Sequence, residues 1–228
     1  MTTFPLRRVR SFVRRDGRLT DAQKRALDVM LPRAGLNLQD GVIDFSTVFE
    51  RKAKTHLEIG FGSGKSLFEM AKSYPAENFI GIETYLPGVG SLLAAVEMAE
   101  LSNIRVYYAD AVEVLQQCIP EESLDVVQIF FPDPWPKRKH HKRRLIQDNF
   151  VKLVLSRLKK NGMIHLATDW QHYAEQMMRV LSAIPELKNS KAPGEYADRS
   201  SQRPVITKFE ERGHQSGRDI WELQFVKA

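Results

Sequence analysis

From residue 55 onward the chain alternates short β-branched and aromatic runs with segments of helical spacing, and this alternation restricts its fold more than any other feature. The runs Thr55–Ile59, Asn78–Ile82, Ile104–Tyr108, Leu124–Phe131, Met163–Ala167 and Ile220–Phe225 read as strands. Lys65–Ser73, Gly88–Leu101, Ala111–Cys118, Leu145–Lys159 and Gln171–Ala183 read as helices. Strands that alternate with helices are joined by crossovers, so the pattern predicts an α/β fold with a mostly parallel central sheet and helices on both faces. A chain of 228 residues, 43% of them hydrophobic, suits one such core. We expect a basic N-terminal arm and lead-in helix over residues 1–50, a single domain over 51–228, and a late loop at residues 189–204. No apolar run approaches the roughly 20 residues that span a bilayer, and no secretory signal opens the chain, so a cytoplasmic protein without membrane contact is expected. The arginine-rich, acid-free first fifteen residues also fit a transit peptide. The single cysteine, Cys118, allows no internal disulfide and reads as a core residue.

Ligands of open parallel sheets bind beyond the carboxyl ends of the strands. Those positions carry Glu58 to Gly64, Glu83, Asp110, Asp133 and Asp169, an acid after each of the first five strands. The first strand runs into Gly60, Gly62 and Gly64, where the backbone can turn sharply and a ligand can approach without a β-carbon in the way. A dinucleotide fingerprint would need its third glycine at Lys65, which excludes a nicotinamide cofactor. A P-loop matches Gly64-Lys65-Ser66 but needs its first glycine at Ile59, so that pattern fails by one residue. A carboxylate at Glu83 can accept from both ribose hydroxyls, and Asp110 can receive an adenine amino group or cap the following helix. A triphosphate would be repelled by Glu58, Glu83 and Asp110, whereas a phosphate-free cationic cofactor is favoured.

The net charge of +6 is concentrated in two places. Residues 1–20 hold six arginines against Asp16, net +5, and residues 137–144 hold six Lys or Arg and no acid, so the remainder carries −5. Concentrated cations suit a phosphate backbone. The second block abuts Phe131-Pro132-Asp133-Pro134-Trp135-Pro136, where an acid and an indole sit between prolines at a strand end. Trp135 can stack on a base or be an ordinary half-buried indole. His140 and His141 are adjacent, unlike metal ligands on one ion, and are expected to be partly protonated members of an RNA face; no metal is expected.

The alternating Gly60, Gly62 and Gly64 after an acid resemble motif I of class I S-adenosylmethionine-dependent methyltransferases. Gly81-Ile82-Glu83, Pro87-Gly88-Val89-Gly90, Phe131 to Trp135, Lys142-Arg143-Arg144 and Thr207-Lys208-Phe209-Glu210, in this order, resemble the bacterial tRNA (guanine-N(7)-)-methyltransferase family. Arg10-Ser11-Phe12 and Gly17 to Thr20 extend the likeness, so that it covers the chain from about Arg10 onward. Thr84-Tyr85 departs from the pair usual in that family. The resemblance implies a Rossmann-like class I methyltransferase fold, S-adenosylmethionine as cofactor, tRNA as partner, and methylation of guanosine 46. It also implies that Glu58, Gly60, Gly62, Gly64, Glu83, Asp110 and Asp133 line the cofactor pocket, and that Lys137, Asp169, Thr207, Lys208, Phe209 and Glu210 contact the substrate. Asp133 is the expected catalytic residue, as a stabiliser of developing positive charge. A methyltransferase on another structured RNA, a non-catalytic RNA-binding protein and a P-loop NTPase are the alternatives, and the chain is expected to be a monomer or homodimer.

Overall fold

The computed structural model describes residues 17–200, 203, 206, 210, 211 and 217–228, and its elements follow the alternation of the sequence. A helix α1 (Asp21–Ala34) leads into a two-residue strand β1 (Gly35–Leu36) and a short helix α2 (Phe45–Phe49). Then come β2 (Thr55–Ile59), α3 (Lys65–Ser73), β3 (Asn78–Glu83), α4 (Leu86–Met98), β4 (Ile104–Tyr108), α5 (Ala111–Gln117) and β5 (Leu124–Phe130). A 3-10 segment (Arg138–Arg143), α6 (Asp148–Arg157), β6 (Leu158–Thr168), α7 (Gln171–Ser182), β7 (Leu187–Asn189) and β8 (Trp221–Lys227) follow.

The eight strands of the described residues join one sheet in the order β1-β4-β3-β2-β5-β6-β8-β7, parallel throughout except that β8 runs antiparallel to both its neighbours. From β2 in the middle the chain winds outward through β3 and β4, then returns to the other side of β2 with β5 and β6. Strand order therefore reverses between β2 and β5, which opens a crevice beyond their carboxyl ends. This is the mostly parallel α/β architecture expected.

Period-two alternation divides the core. Ile80, Ile82 and Tyr107 point to one face with residues of α5, α6 and α7, and Phe79, Ile104 and Val106 to the other with α1, α3 and α4. All five residues of β2 are buried, His56 and Glu58 among them, although the strand alternates polar and apolar residues in sequence. Two boundaries differ from expectation. Helix α6 begins at Asp148 rather than Leu145, because Gln147 is extended and its amide donates to the carbonyls of Lys142 and Arg144. Leu158 already pairs with Leu124, but register resumes only at Met163 opposite Val126, so β6 starts early and bulges at residues 159–162. Strands β1 and β7 are too short to show a period.

Helix α1 is tied to the sheet end that matters for function. Thr20 caps it: Gln23 N–H donates to Thr20 Oγ1 (3.3 Å), while Gln23 Oε1 receives Thr20 N–H (2.8 Å). The Gln23 amide then donates to Pro87 O (3.1 Å) and Ser91 Oγ (2.9 Å), fixing the start of α1 on the start of α4. The Pro87-Gly88-Val89-Gly90 motif makes this packing fit. A β-carbon on Gly88 would lie 2.0 Å from Gly62 O, and one on Gly90 2.9 Å from Gln23 Cβ. No helix among the described residues is long and apolar enough to cross a membrane. Gly88→Ala should displace the turn at Gly62: we expect a lower melting temperature and at least a tenfold loss of affinity for an adenosine-type ligand by calorimetry, and unchanged binding would show that α4 does not seat this turn.

Candidate active site

The crevice between β2 and β5 is built from turns whose backbone is held in unusual conformations. Gly60, Gly62 and Gly64 have φ of 75°, 58° and 78°, a region that side chains disfavour. Among the described residues no atom lies within 4 Å of where a β-carbon on Gly60 or Gly62 would project, so their backbone borders open space there. Gly64 is closed off by Leu92, 2.6 Å from such a β-carbon, and starts α3.

Glu83 ends β3 and binds this turn directly. Its Oε2 accepts from Gly62 N–H (2.7 Å), and Oε1 accepts from the N–H groups of Thr84 (2.6 Å) and Tyr85 (3.0 Å). A carboxylate offers about four acceptor sites, so capacity for ligand hydroxyls remains. The amides of Thr84 and Tyr85 serve here, so their departure from the family's usual side chains leaves this grip intact. Glu58 lies deeper, 3% exposed, with Oε2 lacking a hydrogen-bond partner. Burial first, then the charge of Glu83, push its carboxyl up to about 8 against the opposing pull of Arg203. Glu58 is in register with Gln128, and Gln128 with His165, so a buried polar row crosses three strands; both polar atoms of the Gln128 side chain lack partners. Asp110 caps α5, its Oδ1 accepting from Val112 N–H (2.8 Å), and its side chain is half-buried beyond β4.

Beyond β5 the chain is strained on both sides of Asp133. Phe131 and Trp135 have φ of 51° and 45°, which costs about 1–3 kcal/mol each for residues of this bulk. Asp133 is exposed at the crest of this loop. The Arg143 guanidinium lies 4.9 Å from the centre of the Trp135 ring, and His140 meets that ring edge-on at 5.8 Å. One face of the indole is thus covered by a cation. Lys137 is exposed at the start of the 3-10 segment.

Three expectations need correction. Arg144 does not face solvent with the rest of the basic block: it is 2% exposed, with hydrogen bonds to Pro134, His172 and Gln176. His140 and His141 are pushed below the ordinary imidazole range, by desolvation first and then by the surrounding cations, so they add little charge to the free protein at neutral pH. Glu210 does not present its carboxylate outward: it is 1% exposed and bound by Arg203 Nη1 (2.5 Å), Arg203 Nη2 (2.9 Å) and Arg199 Nε (2.9 Å). Thr207, Lys208 and Phe209 lie outside the described residues. Asp169 follows β6 and pairs with Arg218 at 2.8 Å, whose guanidinium sits 5.5 Å from the Trp170 ring centre.

Arg203 precedes Thr207–Glu210 in sequence, but spacing assigned it no role. It is fully buried, donating also to Glu222 from Nε (2.9 Å) and Nη2 (2.7 Å), and lies near the rings of Phe130 and Phe131. Burial works to raise the Glu222 carboxyl, but the hydrogen bond from His165 and the charge of Arg203 prevail and hold it below the ordinary range. Glu222 lies in the alternating strand Trp221–Lys227, where spacing alone does not show that its carboxylate is buried.

A parallel sheet with one reversed strand, a glycine turn at its switch point and an acid closing the next strand define a doubly wound methyltransferase fold. Solved structures agree: 16S rRNA methyltransferase KamB superposes with a TM-score of 0.60 at 15% identity, covering 82% of this chain and 94% of that one. TrmN from Thermus thermophilus gives 0.54 at 17% identity, covering 80% and 47%. These identities speak for the fold alone. A family model described as a putative methyltransferase matches residues 52–223. The tRNA (guanine-N(7)-)-methyltransferase of Idiomarina loihiensis is 53% identical over 96% of this chain and 89% of its own length. Those of Salmonella typhimurium and Pseudomonas syringae pv. syringae are 52% and 51% identical over 98% of this chain, covering 93% and 91% of theirs. The chain belongs to the tRNA (guanine-N(7)-)-methyltransferase family.

The buried Glu58 carboxyl has a pH signature. The folded state keeps its proton to about pH 8, whereas the unfolded chain releases it near 4.5, so this group favours the fold fully below 4.5 and loses that contribution as pH rises through 8. The isosteric Glu58→Gln cannot ionise. Its melting temperature should fall less than wild type between pH 6 and 9, and parallel profiles would refute the shifted carboxyl.

Proposed function

We propose that the protein transfers a methyl group from S-adenosylmethionine to N7 of guanine 46 in the variable loop of tRNA. The observation that carries this reading is the juxtaposition, at one switch point, of a glycine turn open to ligand, a carboxylate bound to it, and an exposed acid on a strained loop beside the basic block. The cradle suits the cofactor: Gly60 and Gly62 border open space, and Glu58 holds an unpartnered buried oxygen. The acids Glu83 and Asp110 suit a cation that lacks phosphates, while Glu58, which keeps its proton to about pH 8, offers a neutral carboxyl. Glu58, Gly60, Gly62, Gly64, Glu83, Asp110 and Asp133 would hold it. S-adenosylmethionine, when bound, supplies an electrophilic methyl group.

Guanine N7 carries a lone pair and no proton, so the site needs no general base. Orientation dominates, and good alignment can lower a barrier by about 7–11 kcal/mol. As positive charge builds on the purine, the Asp133 carboxylate stabilises it, and it can also accept from the donor edge of the base. Lys137 and Asp169 lie beyond β5 and β6 on the substrate side, with Thr207, Lys208 and Phe209 as further contacts. Glu210 serves through its bonds to Arg199 and Arg203. Residues 51–228 form the catalytic domain in this reading, with residues 1–50 as a basic arm and lead-in helix, and a tRNA substrate accords with a cytoplasmic location.

The direct test is incubation with methyl-labelled S-adenosylmethionine and an unmodified tRNA transcript, then nucleoside analysis. Label should appear in 7-methylguanosine and vanish with a transcript carrying adenine at position 46. Label persisting in that transcript would move the target, and label in another nucleoside would overturn the reaction. Asp133→Asn should lower kcat by on the order of 100-fold at unchanged tRNA affinity. Lys137→Ala with Lys139→Ala should weaken tRNA binding and make the slope of log affinity against log salt shallower by about one for each phosphate no longer neutralised; an unaltered slope would remove both lysines from the interface.

A further inference from the structure

Arg144 ends the basic block, yet its surroundings are those of a core residue. It is 2% exposed, its guanidinium lies 4.7 Å from the centre of the Tyr173 ring, and no carboxylate is among its hydrogen-bond partners. Nε donates to Pro134 O at 2.8 Å, while Nη1 donates to Gln176 Oε1 at 2.6 Å and meets His172 Nδ1 at 3.0 Å. Nη2 is buried without a partner, so it is not offered to a phosphate. An unpaired buried cation is costly, and a chain selecting only for stability would place an apolar residue there. The planar fork explains its presence: one side reaches the loop and the other reaches α7 at the same time, which a lysine cannot do.

Pro134 is the residue after Asp133, and the loop it belongs to has left-handed aromatic residues at Phe131 and Trp135. Strained backbone persists only where its surroundings over-determine it. The Phe131 N–H is fixed to Ala167 O at 2.8 Å, which secures the entry to the loop. Arg144 secures its crest against α7. Tyr173 of that helix senses both groups: burial raises its phenol, the charge of Asp133 adds to this and that of Arg144 opposes it.

We propose that Arg144 is a positioning residue, which holds the Asp133 carboxylate in place by bridging the Pro134 carbonyl to Gln176 and His172 of α7, and that it does not contact tRNA. The inference rests on the assignment of Asp133 to the reaction, because a loop that carries no reacting group would need no such brace. Gln176 acts through Arg144 and not through RNA.

The experiment measures kcat, tRNA KM, tRNA affinity and its salt slope for wild type, Arg144→Met, Gln176→Leu, the double variant and Asp133→Asn. S-adenosylmethionine titration counts folded sites. Arg144→Met should lower kcat by on the order of 100-fold, as expected for a misplacement near 1 Å, with tRNA affinity and salt slope within twofold of wild type. Gln176→Leu should lower kcat less, and the double variant should match Arg144→Met, since the two act as one unit. An affinity loss with a shallower salt slope at constant kcat would make Arg144 a phosphate contact and overturn the proposal. If Arg144→Met does not fold, Gln176→Leu decides alone: lowered kcat at unchanged tRNA affinity supports the brace, and wild-type kcat refutes it. Wild-type kcat in Asp133→Asn would instead defeat the assignment beneath it, whereas a dead Asp133→Asn beside active Arg144→Met and Gln176→Leu would defeat the brace alone.

Discussion

The peptide unit of Gly62 is held from both sides, and the cofactor end of the molecule follows from that. Its N–H is bound by the Glu83 carboxylate and its carbonyl lies against Gly88, where even a methyl group would not fit. One acid thus joins the turn after β2 to the turn after β3, and one glycine seats α4 on both. Through Gln23 the same junction fixes the start of α1. Residues far apart in sequence share a single constraint: remove the carboxylate or add a β-carbon, and the turn, two helix starts and the crevice floor lose their common reference.

Charge is sorted around this junction by depth. Glu58 and Glu83 are close enough that a buried second ionisation is disfavoured, and the deeper group keeps its proton. Arg203, whose charge reaches Glu58, is already committed to Glu210 and Glu222. A ligand entering the crevice meets acidic groups, while a polyanion approaching from outside meets the exposed Lys137, Arg138, Lys139 and Lys142. The two reactants of a cationic donor and an RNA acceptor are thereby drawn to different depths of one site, with the strained Asp133 loop at the boundary.

Part of this fold was legible in local composition. Thr55–Ile59 and Ile104–Tyr108 appear at the expected residues, since β-branched and aliphatic residues recur in both. The placement of Glu83, Asp110 and Asp169 after their strands was legible too, since the carboxyl end of a parallel strand is a position that sequence can locate. Which way a side chain faces was not. Arg144 belongs to a run of cations, and composition cannot say that its last member turns inward beside the buried Ile146. Glu210 has Arg212 near it in sequence, but its bonds among the described residues come from Arg199 and Arg203, and Arg203 is held in turn by Glu222 of β8. Such pairing depends on contacts across the sheet, which spacing does not encode. Gln128, polar within an apolar run, was a visible sign of the buried row that it joins.

A reaction that moves no proton from its acceptor places unusual weight on geometry. An enzyme with a general base can tolerate some error in the base's position, because proton transfer through water relaxes the requirement; a carboxylate that acts through its field cannot be replaced in that way. In the role proposed for Asp133, this accounts for a loop built at a conformational cost and then pinned. Arg203 lies beside Phe131, Arg144 holds the Pro134 carbonyl, and Arg143 covers Trp135, so three arginines fix the strained loop on either side of Asp133.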